Sequence, residues 1–476
     1  MAALSLSSFS LLFFFLFFHS FAGKVAPDGH HLTVELAALL PSAACSRRSA
    51  KVTGVKKEDS SPSLEVVHRH GPCAGASKAP SEAEIFVRDQ ARVDLIHSKF
   101  SEESGSGSVQ RIRPSKATKI PAKSGATIGS GNYIVSVGLG TPKKELSLIF
   151  DTGSDLTWTQ CEPCARYCYS QKDPVFAPSK STSYSNISCS SPSCSQLESG
   201  TGNEPGCSSA TKSCIYGIQY GDQSFSVGYF AKETLSLSSY DVIENFLFGC
   251  GQNNRGLFGS AAGLLGLGQD KISIVKQTAQ KYGQIFSYCL PKTASSTGYL
   301  TFGGGGNGGA LKYTPITKAH GVANFYGLDV VGIKVGGTQL PISSSVFSTS
   351  GAIIDSGTVI TRLPPAAYDA LKSAFQKGMT AYPKAPELSI LDTCYDLSKY
   401  TSVDVPKVSF LFKGGTELDL DAIGILYGAS PEQVCLAFAG NQDPRSVAII
   451  GNVQQKSLQV VYDVGGGRVG FGYNGC

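Results

Sequence analysis

Histidine, methionine and long apolar runs are scarce in this chain of 476 residues. Of its seven histidines only His320 lies beyond residue 100. The main body therefore has too little imidazole for a Ser-His-Asp or Cys-His nucleophile, or for a His-ligated zinc. His320 itself, in a Lys-Ala-His-Gly stretch, reads as a surface residue. Gly303 to Gly309 is rich in glycine but lacks the Lys and Ser/Thr of a phosphate cradle. Excess charge is missing from the main body too. Residues 24–123 hold 16 Lys or Arg against 11 Asp or Glu, which leaves 25 of each sign elsewhere, so a polyanion-binding surface has little support outside the N-terminal leader. The one apolar run of note, Leu11 to Phe18, is too short to span a bilayer. It sits in Met1 to Gly23, which has no acidic residue, lysine or arginine, and it suits a signal-peptide core with cleavage after Ala22. The expected mature chain is soluble and exported.

Two residue types are abundant. Fifty-four glycines among many Ser, Thr, Val and Tyr suit short strands and tight turns, hence a mainly β fold. Fourteen cysteines fit an oxidising compartment. Cys161-Glu-Pro-Cys164 lacks the second spaced pair that zinc would need and the βαβ context of a redox pair, so disulfides are expected, with their connectivity left open by the sequence. Asn186-Ile-Ser is a glycosylation sequon.

The chemistry concentrates in a cassette that occurs twice. Leu146 to Trp158 delivers Asp151 from an apolar β-type run into a Thr152-Gly153-Ser154 turn, and Gly351 to Thr358 delivers Asp355 into Ser356-Gly357-Thr358. A buried carboxylate needs a partner. Two brought within hydrogen-bonding distance share one proton and can activate water without a cofactor or metal. The hydroxyls at Thr152 and Ser154 are placed to orient the carboxyl. Each cassette is followed by an apolar-apolar-Gly element, Ala261 to Gly268 and Ala448 to Asn452, which implies an internal duplication into two lobes. Between them Ile215 to Gly228 reads as a hairpin, and Leu363 to Phe375 as a short amphipathic helix with prolines at its start. In the leader, Glu82 to Phe100 has helical spacing, and Leu64 to Cys73 reads by itself as an exposed strand and turn.

From about Ser130 to Cys476 these motifs resemble a pepsin-like aspartic endopeptidase. The cysteine-loaded stretch between Trp158 and Tyr220 resembles the nepenthesin-type plant branch, and Arg69-His-Gly-Pro-Cys73 is similar to its prosegment signature. The resemblance extends to the subgroup named for a chloroplast-nucleoid DNA-binding aspartic protease. It implies a bilobal fold of two pseudo-two-fold related antiparallel β lobes, with the cleft between them. It divides the chain into a signal peptide (1–22), a prosegment (23–124), an N-terminal lobe (125–310) and a C-terminal lobe (311–476). It implies catalysis by Asp151 and Asp355 on extended peptides, under a flap carrying Tyr220 and Gly221 beside Trp158. It further implies the pairs Cys161–Cys164, Cys168–Cys250, Cys189–Cys214, Cys194–Cys207, Cys289–Cys476 and Cys394–Cys435. The expected molecule is a secreted monomeric zymogen, with chloroplast or vacuole as the other addresses. The alternatives are the same fold with added DNA binding through the basic leader, or a catalytically dead inhibitor. One or more of Arg111, Arg113, Lys116, Lys119 and Lys123 is expected to occupy the active site of the precursor, with cleavage between about Lys116 and Gly131.

Overall fold

The computed structural model describes residues 29–40, 42, 44–46, 61–75, 80–104, 133–220, 224–256, 258–304, 310–318, 324–473 and 475–476. Strand Tyr133–Leu139, buried at every position but Ser136, pairs antiparallel with Lys144–Asp151, so alternating Val and Leu side chains feed the first core. Strand Gly263–Gly266 then runs parallel to Lys144–Asp151 and sets Gly266 opposite Asp151. The second half repeats this: Ala448–Ile450 runs parallel to Ala352–Ile354 and ends one residue short of Asp355. A short strand follows each turn. Trp158 lies antiparallel to Leu264 and parallel to Gly249, and Arg362 lies antiparallel to Ile449 and parallel to Ala439. The duplication in sequence is thus a duplication of hydrogen-bond register, and it gives a mainly β, bilobal fold.

The lobes are joined by a sheet of antiparallel neighbours in the order Ser63–His68, Thr297–Phe302, Ile285–Cys289, Gln459–Asp463, Arg468–Gly472 and Lys312–Thr317. Phe286 stacks on Tyr462 at 4.5 Å in this sheet, with Tyr326 edge-on to the same ring. The first of these strands belongs to the leader. It is not an exposed strand: Val66 is fully buried, because the segment also pairs with Tyr133–Leu139 and so fills a place inside the sheet. A second leader strand, His31–Glu35, adds to the edge strand Ser402–Pro406 in the C-terminal half. The helix expected at Leu363 to Phe375 is Pro365–Gly378, with proline in its first turn and Leu371 and Phe375 fully buried; such burials contribute about 1.5–3 kcal/mol each.

All six sequence-expected bridges involve cysteines that are disulfide-bonded, but only two pairings stand, Cys289–Cys476 and Cys394–Cys435. The other four partners exchange. Cys161 bonds Cys250 because strand Trp158–Gln160 lies alongside Val242–Arg255, with the Cys161 N–H on the Gly251 carbonyl. Cys164 is then left to its loop neighbour Cys168. Burial sorts the remaining four: Cys194 and Cys214, both in the core, bond each other, and the half-buried Cys189 and exposed Cys207 form the outer bridge. A seventh bridge, Cys45–Cys73, closes a loop within the leader.

Candidate active site

Asp151 and Asp355 are the ends of two buried strands, and both are essentially inaccessible, at 1% and 0% exposure. The turn behind each carboxylate supplies an N–H: Gly153 N donates to Asp151 Oδ1 at 3.0 Å and Gly357 N to Asp355 Oδ1 at 3.2 Å. Only glycine fits these turns. A Cβ on Gly357 would lie 2.6 Å from Asp151 Oδ1, and one on Gly153 2.9 Å from Asp355 Oδ1, so the missing side chains let the lobes approach. Cross-lobe bonds lock the approach, with Ser356 N donating to Thr152 Oγ1 at 2.9 Å and Thr152 N to Ser356 Oγ at 3.1 Å. The expected hydroxyl support falls on one carboxyl. Thr358 Oγ1 donates to Asp355 Oδ2 at 2.6 Å and Thr152 Oγ1 reaches Asp355 Oδ1 at 3.5 Å besides its lobe contact, whereas the Ser154 hydroxyl is buried without a partner.

A cation sits on the two carboxylates. Arg92, from the leader helix Glu82–Ser104, donates Nη2 to Asp151 Oδ1 at 2.6 Å and to Asp355 Oδ1 at 2.9 Å, Nη1 to Asp151 Oδ2 at 3.2 Å, and Nε to Asp355 Oδ2 at 2.9 Å. One guanidinium saturates four carboxylate oxygens. The expected site cation is therefore corrected to Arg92; Arg111, Arg113, Lys116, Lys119 and Lys123 lie outside the described residues, as does the expected cleavage region. The hairpin at Ile215 to Gly228 is present as strands Cys214–Gln219 and Phe225–Ser236, and at its tip Tyr220 Oη accepts a 2.7 Å hydrogen bond from Trp158 Nε1. Gly221 lies outside the described residues, as does His320. Asn186 is exposed on a short edge strand.

Family profiles described as "Xylanase inhibitor N-terminal" and "Xylanase inhibitor C-terminal" match residues 133–304 and 325–473. An aspartyl protease family protein of Arabidopsis thaliana is 56% identical over 453 residues, covering 94% of this chain and 93% of its own. The chain belongs to the plant aspartyl protease family. It is a pepsin-like aspartic endopeptidase of the nepenthesin-type branch. Aspartyl protease AED1 of the same plant is 50% identical over 96% of this chain and 94% of its own, and aspartic proteinase nepenthesin-2 of Nepenthes gracilis 39% over 72% and 77%. Among solved structures, edgp and the basic 7S globulin from soybean each superpose with a TM-score of 0.57 at 20% and 22% identity, covering 74% and 72% of this chain and 93% and 91% of theirs. At that identity they attest the fold.

In this aspartic protease the electrostatics of the site favour the charged clamp. Burial alone would raise the Asp355 carboxyl, but the Arg92 guanidinium, aided by Thr358 and the Gly357 N–H, holds it below the ordinary carboxylate range. Burial would likewise lower Arg92, and the two carboxylates reverse that. Asp155, four residues beyond Asp151, is pushed up to about 8 by burial against the single 2.7 Å bond from Asp270 N, so it is mostly a neutral acid at pH 7 beneath the loop. Sequence reading missed Arg92, although a signal existed. Ile85, Asp89, Arg92 and Ile96 are spaced 4, 3 and 4 apart, which puts two charges in the apolar stripe of the leader helix. That stripe packs Ile85 and Phe86 with Val359 and Ile360, and Val93 and Ile96 with Ile353 and Ile449.

Proposed function

We propose that this aspartic endopeptidase is made as a secretory zymogen whose leader is a plug, and that Asp151 and Asp355 hydrolyse peptide bonds once Arg92 withdraws. The observation that carries the reading is the convergence of both carboxylates on one Arg92 nitrogen, since groups that share a guanidinium can share a water. With the cation gone, two buried carboxyls this close cannot both remain ionised, and one proton is held by the pair. The ionised partner takes a proton from water as its oxygen attacks the peptide carbonyl, and the protonated partner donates to the carbonyl oxygen. Collapse of the tetrahedral adduct passes a proton to the leaving amine and returns the pair to its starting state. Ser154, unpartnered in the precursor, is then free to donate to Asp151 as Thr358 does to Asp355.

The substrates are proteins or extended peptides in the interlobe cleft beneath Tyr220. The compartment we favour is extracellular, on the strength of the apolar N-terminus and seven disulfides. Because one chain carries both aspartates, a monomer suffices, and glycosylation at the exposed Asn186 fits the same route. Added DNA binding through the leader is disfavoured, because Arg69, Arg88 and Arg92 face the protein interior. The inhibitor alternative is disfavoured by two intact cassettes. Replacing Asp151 or Asp355 by Asn tests the mechanism: each acid-treated variant is expected to lose at least about 10³-fold in pepstatin-sensitive peptide cleavage with an unchanged melting profile. Retained activity in either variant would refute it.

A further inference from the structure

Peptide hydrolysis by the two aspartates makes no use of Arg362, yet this charged side chain is buried to 1% exposure at the cleft. It stands seven residues beyond Asp355, as Trp158 stands seven beyond Asp151. The registers agree as well, with Arg362 opposite Ile449 and Trp158 opposite Leu264. A guanidinium thus takes, in the C-terminal lobe, the place that the flap-bonded indole takes in the N-terminal lobe.

Its present partner is borrowed. Arg362 Nη2 is 3.1 Å from Asp89 Oδ2 and 3.2 Å from Gln90 Oε1, both on the leader helix, while Nη1 donates to the Ile360 carbonyl at 2.8 Å. Its Nε is buried with no hydrogen-bond partner. The Asp89 carboxyl also accepts from Val359 N at 2.5 Å and Ile360 N at 3.0 Å, so one cation and two N–H groups converge on it and oppose the burial that raises it above the ordinary carboxylate range. Departure of the leader would strip all three of their acceptor, and an unpaired buried charge is strongly unfavourable. The neighbouring carboxylates are already engaged: Asp392 is bonded by Lys372 at 2.7 Å and by Tyr368, and Asp443 by Arg445 at 3.1 Å. Beside Arg362 a cleft of about 470 Å³ is lined by Tyr368, Asn441 and Ser446 on one side and by Gln90, Asp94 and His97 of the leader on the other.

We propose that Arg362, with the N–H groups of Val359 and Ile360, forms a specificity subsite of the mature enzyme for an acidic side chain of the peptide substrate, which Asp89 of the leader imitates in the precursor. Asp89 precedes Arg92 by three residues, about 4.5 Å along a helix, and an extended peptide advances about 3.3 Å per residue. The acidic residue is therefore placed one or two positions from the scissile bond. The inference rests on Asp151 and Asp355 being the cleaving pair, and its test is separable from theirs.

The test is cleavage by the acid-activated full chain of paired peptides that differ only by Asp against Asn, or Glu against Gln, at each position within two residues of the scissile bond. At one position the acidic member is expected to be cut with about 10- to 100-fold higher kcat/KM, and Arg362→Gln should collapse that ratio toward 1. Equal rates for every pair in the wild-type enzyme would overturn the proposal without any variant. A ratio that survives Arg362→Gln would overturn it too, since another group would then read the charge. Asp89→Asn in the full precursor gives an independent reading, because a leader that has lost its imitation anion should release at higher pH; an unchanged release pH counts against the proposal. Pepstatin-insensitive cleavage would instead defeat the aspartate mechanism.

Discussion

The two lobes repeat one motif in one register, yet they meet the leader differently. In the N-terminal lobe the strand after the catalytic turn begins with an indole bonded to Tyr220. In the C-terminal lobe the equivalent strand carries Arg362, and the leader helix is fastened there by Asp89, by Ile85 and Phe86 against Val359 and Ile360, and by Val93 and Ile96 against Ile353 and Ile449. The first lobe receives the leader strand Ser63–His68 beside Tyr133–Leu139 and no leader helix, whereas the second takes the strand His31–Glu35 as well as the helix. Duplication therefore supplied two equal carboxylates, and divergence of the flanking strands gave one lobe a flap and the other a docking wall. Arg92 engages both carboxylates.

The sharpest way to break this comparison is by pH. Its expected trigger, protonation of the cleft carboxylates, is opposed by Arg92, which keeps Asp355 charged to lower pH. The leader histidines respond earlier. His68 packs edge-on against Tyr133 at 5.4 Å with Lys456 and Arg69 nearby, and burial, reinforced by these cations, lowers it from 6.5 to about 3. His70 accepts from Arg69 Nε at 2.9 Å, close to Arg88, and is lowered too. His97 faces the Val447 carbonyl, Asp94, Asp443 and Arg362, and is lowered by burial. Between pH 6.5 and 3 a released leader binds more protons at His68 than a docked one, so docking is strongest above about pH 6.5 and weakens as pH falls through about 3. At pH 4.5 His68 alone withdraws ~3 kcal/mol. Replacing His68 by Phe is expected to move leader release, followed by peptide hydrolysis against pH, down by about one pH unit; an unchanged profile would leave the histidines without a role.

A smaller effect separates the two carboxylates. Thr358→Ala removes the 2.6 Å bond to Asp355 and is expected to lower kcat by about 10-fold. Ser154→Ala should cost the mature enzyme a comparable factor and the docked precursor nothing in thermal stability, because that hydroxyl has no partner while Arg92 holds Asp151. A Ser154 variant that destabilises the precursor would contradict this order of events. The smallest effect falls on the flap: Trp158→Phe deletes the bond to Tyr220, worth about 1 kcal/mol, and should lower kcat/KM by roughly 5-fold with the Asp/Asn preference at Arg362 intact.

What the sequence made legible was local and repeated. Each aspartate announces itself through an apolar run, a hydroxyl and a glycine, and the second occurrence turns a common turn into a pair. The hairpin with Tyr220 and the helix at Pro365–Gly378 follow from turn chemistry and proline placement in the same way. Disulfide pairing depends on which strands lie side by side and which cysteines are buried, so only Cys289–Cys476 and Cys394–Cys435 came through intact. Arg92 was hidden for a related reason. It lies 59 residues from Asp151 and 263 from Asp355 along the chain, and its reach is set by packing of the helix stripe on the C-terminal lobe. A charge within an apolar stripe is the local trace of such a contact, and both Asp89 and Arg92 carry it.

The central claim, that one leader guanidinium silences a site built from both lobes, is tested most directly by comparing uncleaved wild-type and Arg92→Gln precursors. Peptide hydrolysis is measured at pH 5 over the first minutes, with the intact chain verified on a gel. The account predicts pepstatin-sensitive turnover by the variant while its leader is still attached, and at least about 10-fold less by the wild type, in keeping with loss of a buried ion pair. An intact Arg92→Gln precursor as silent as the wild type would contradict it.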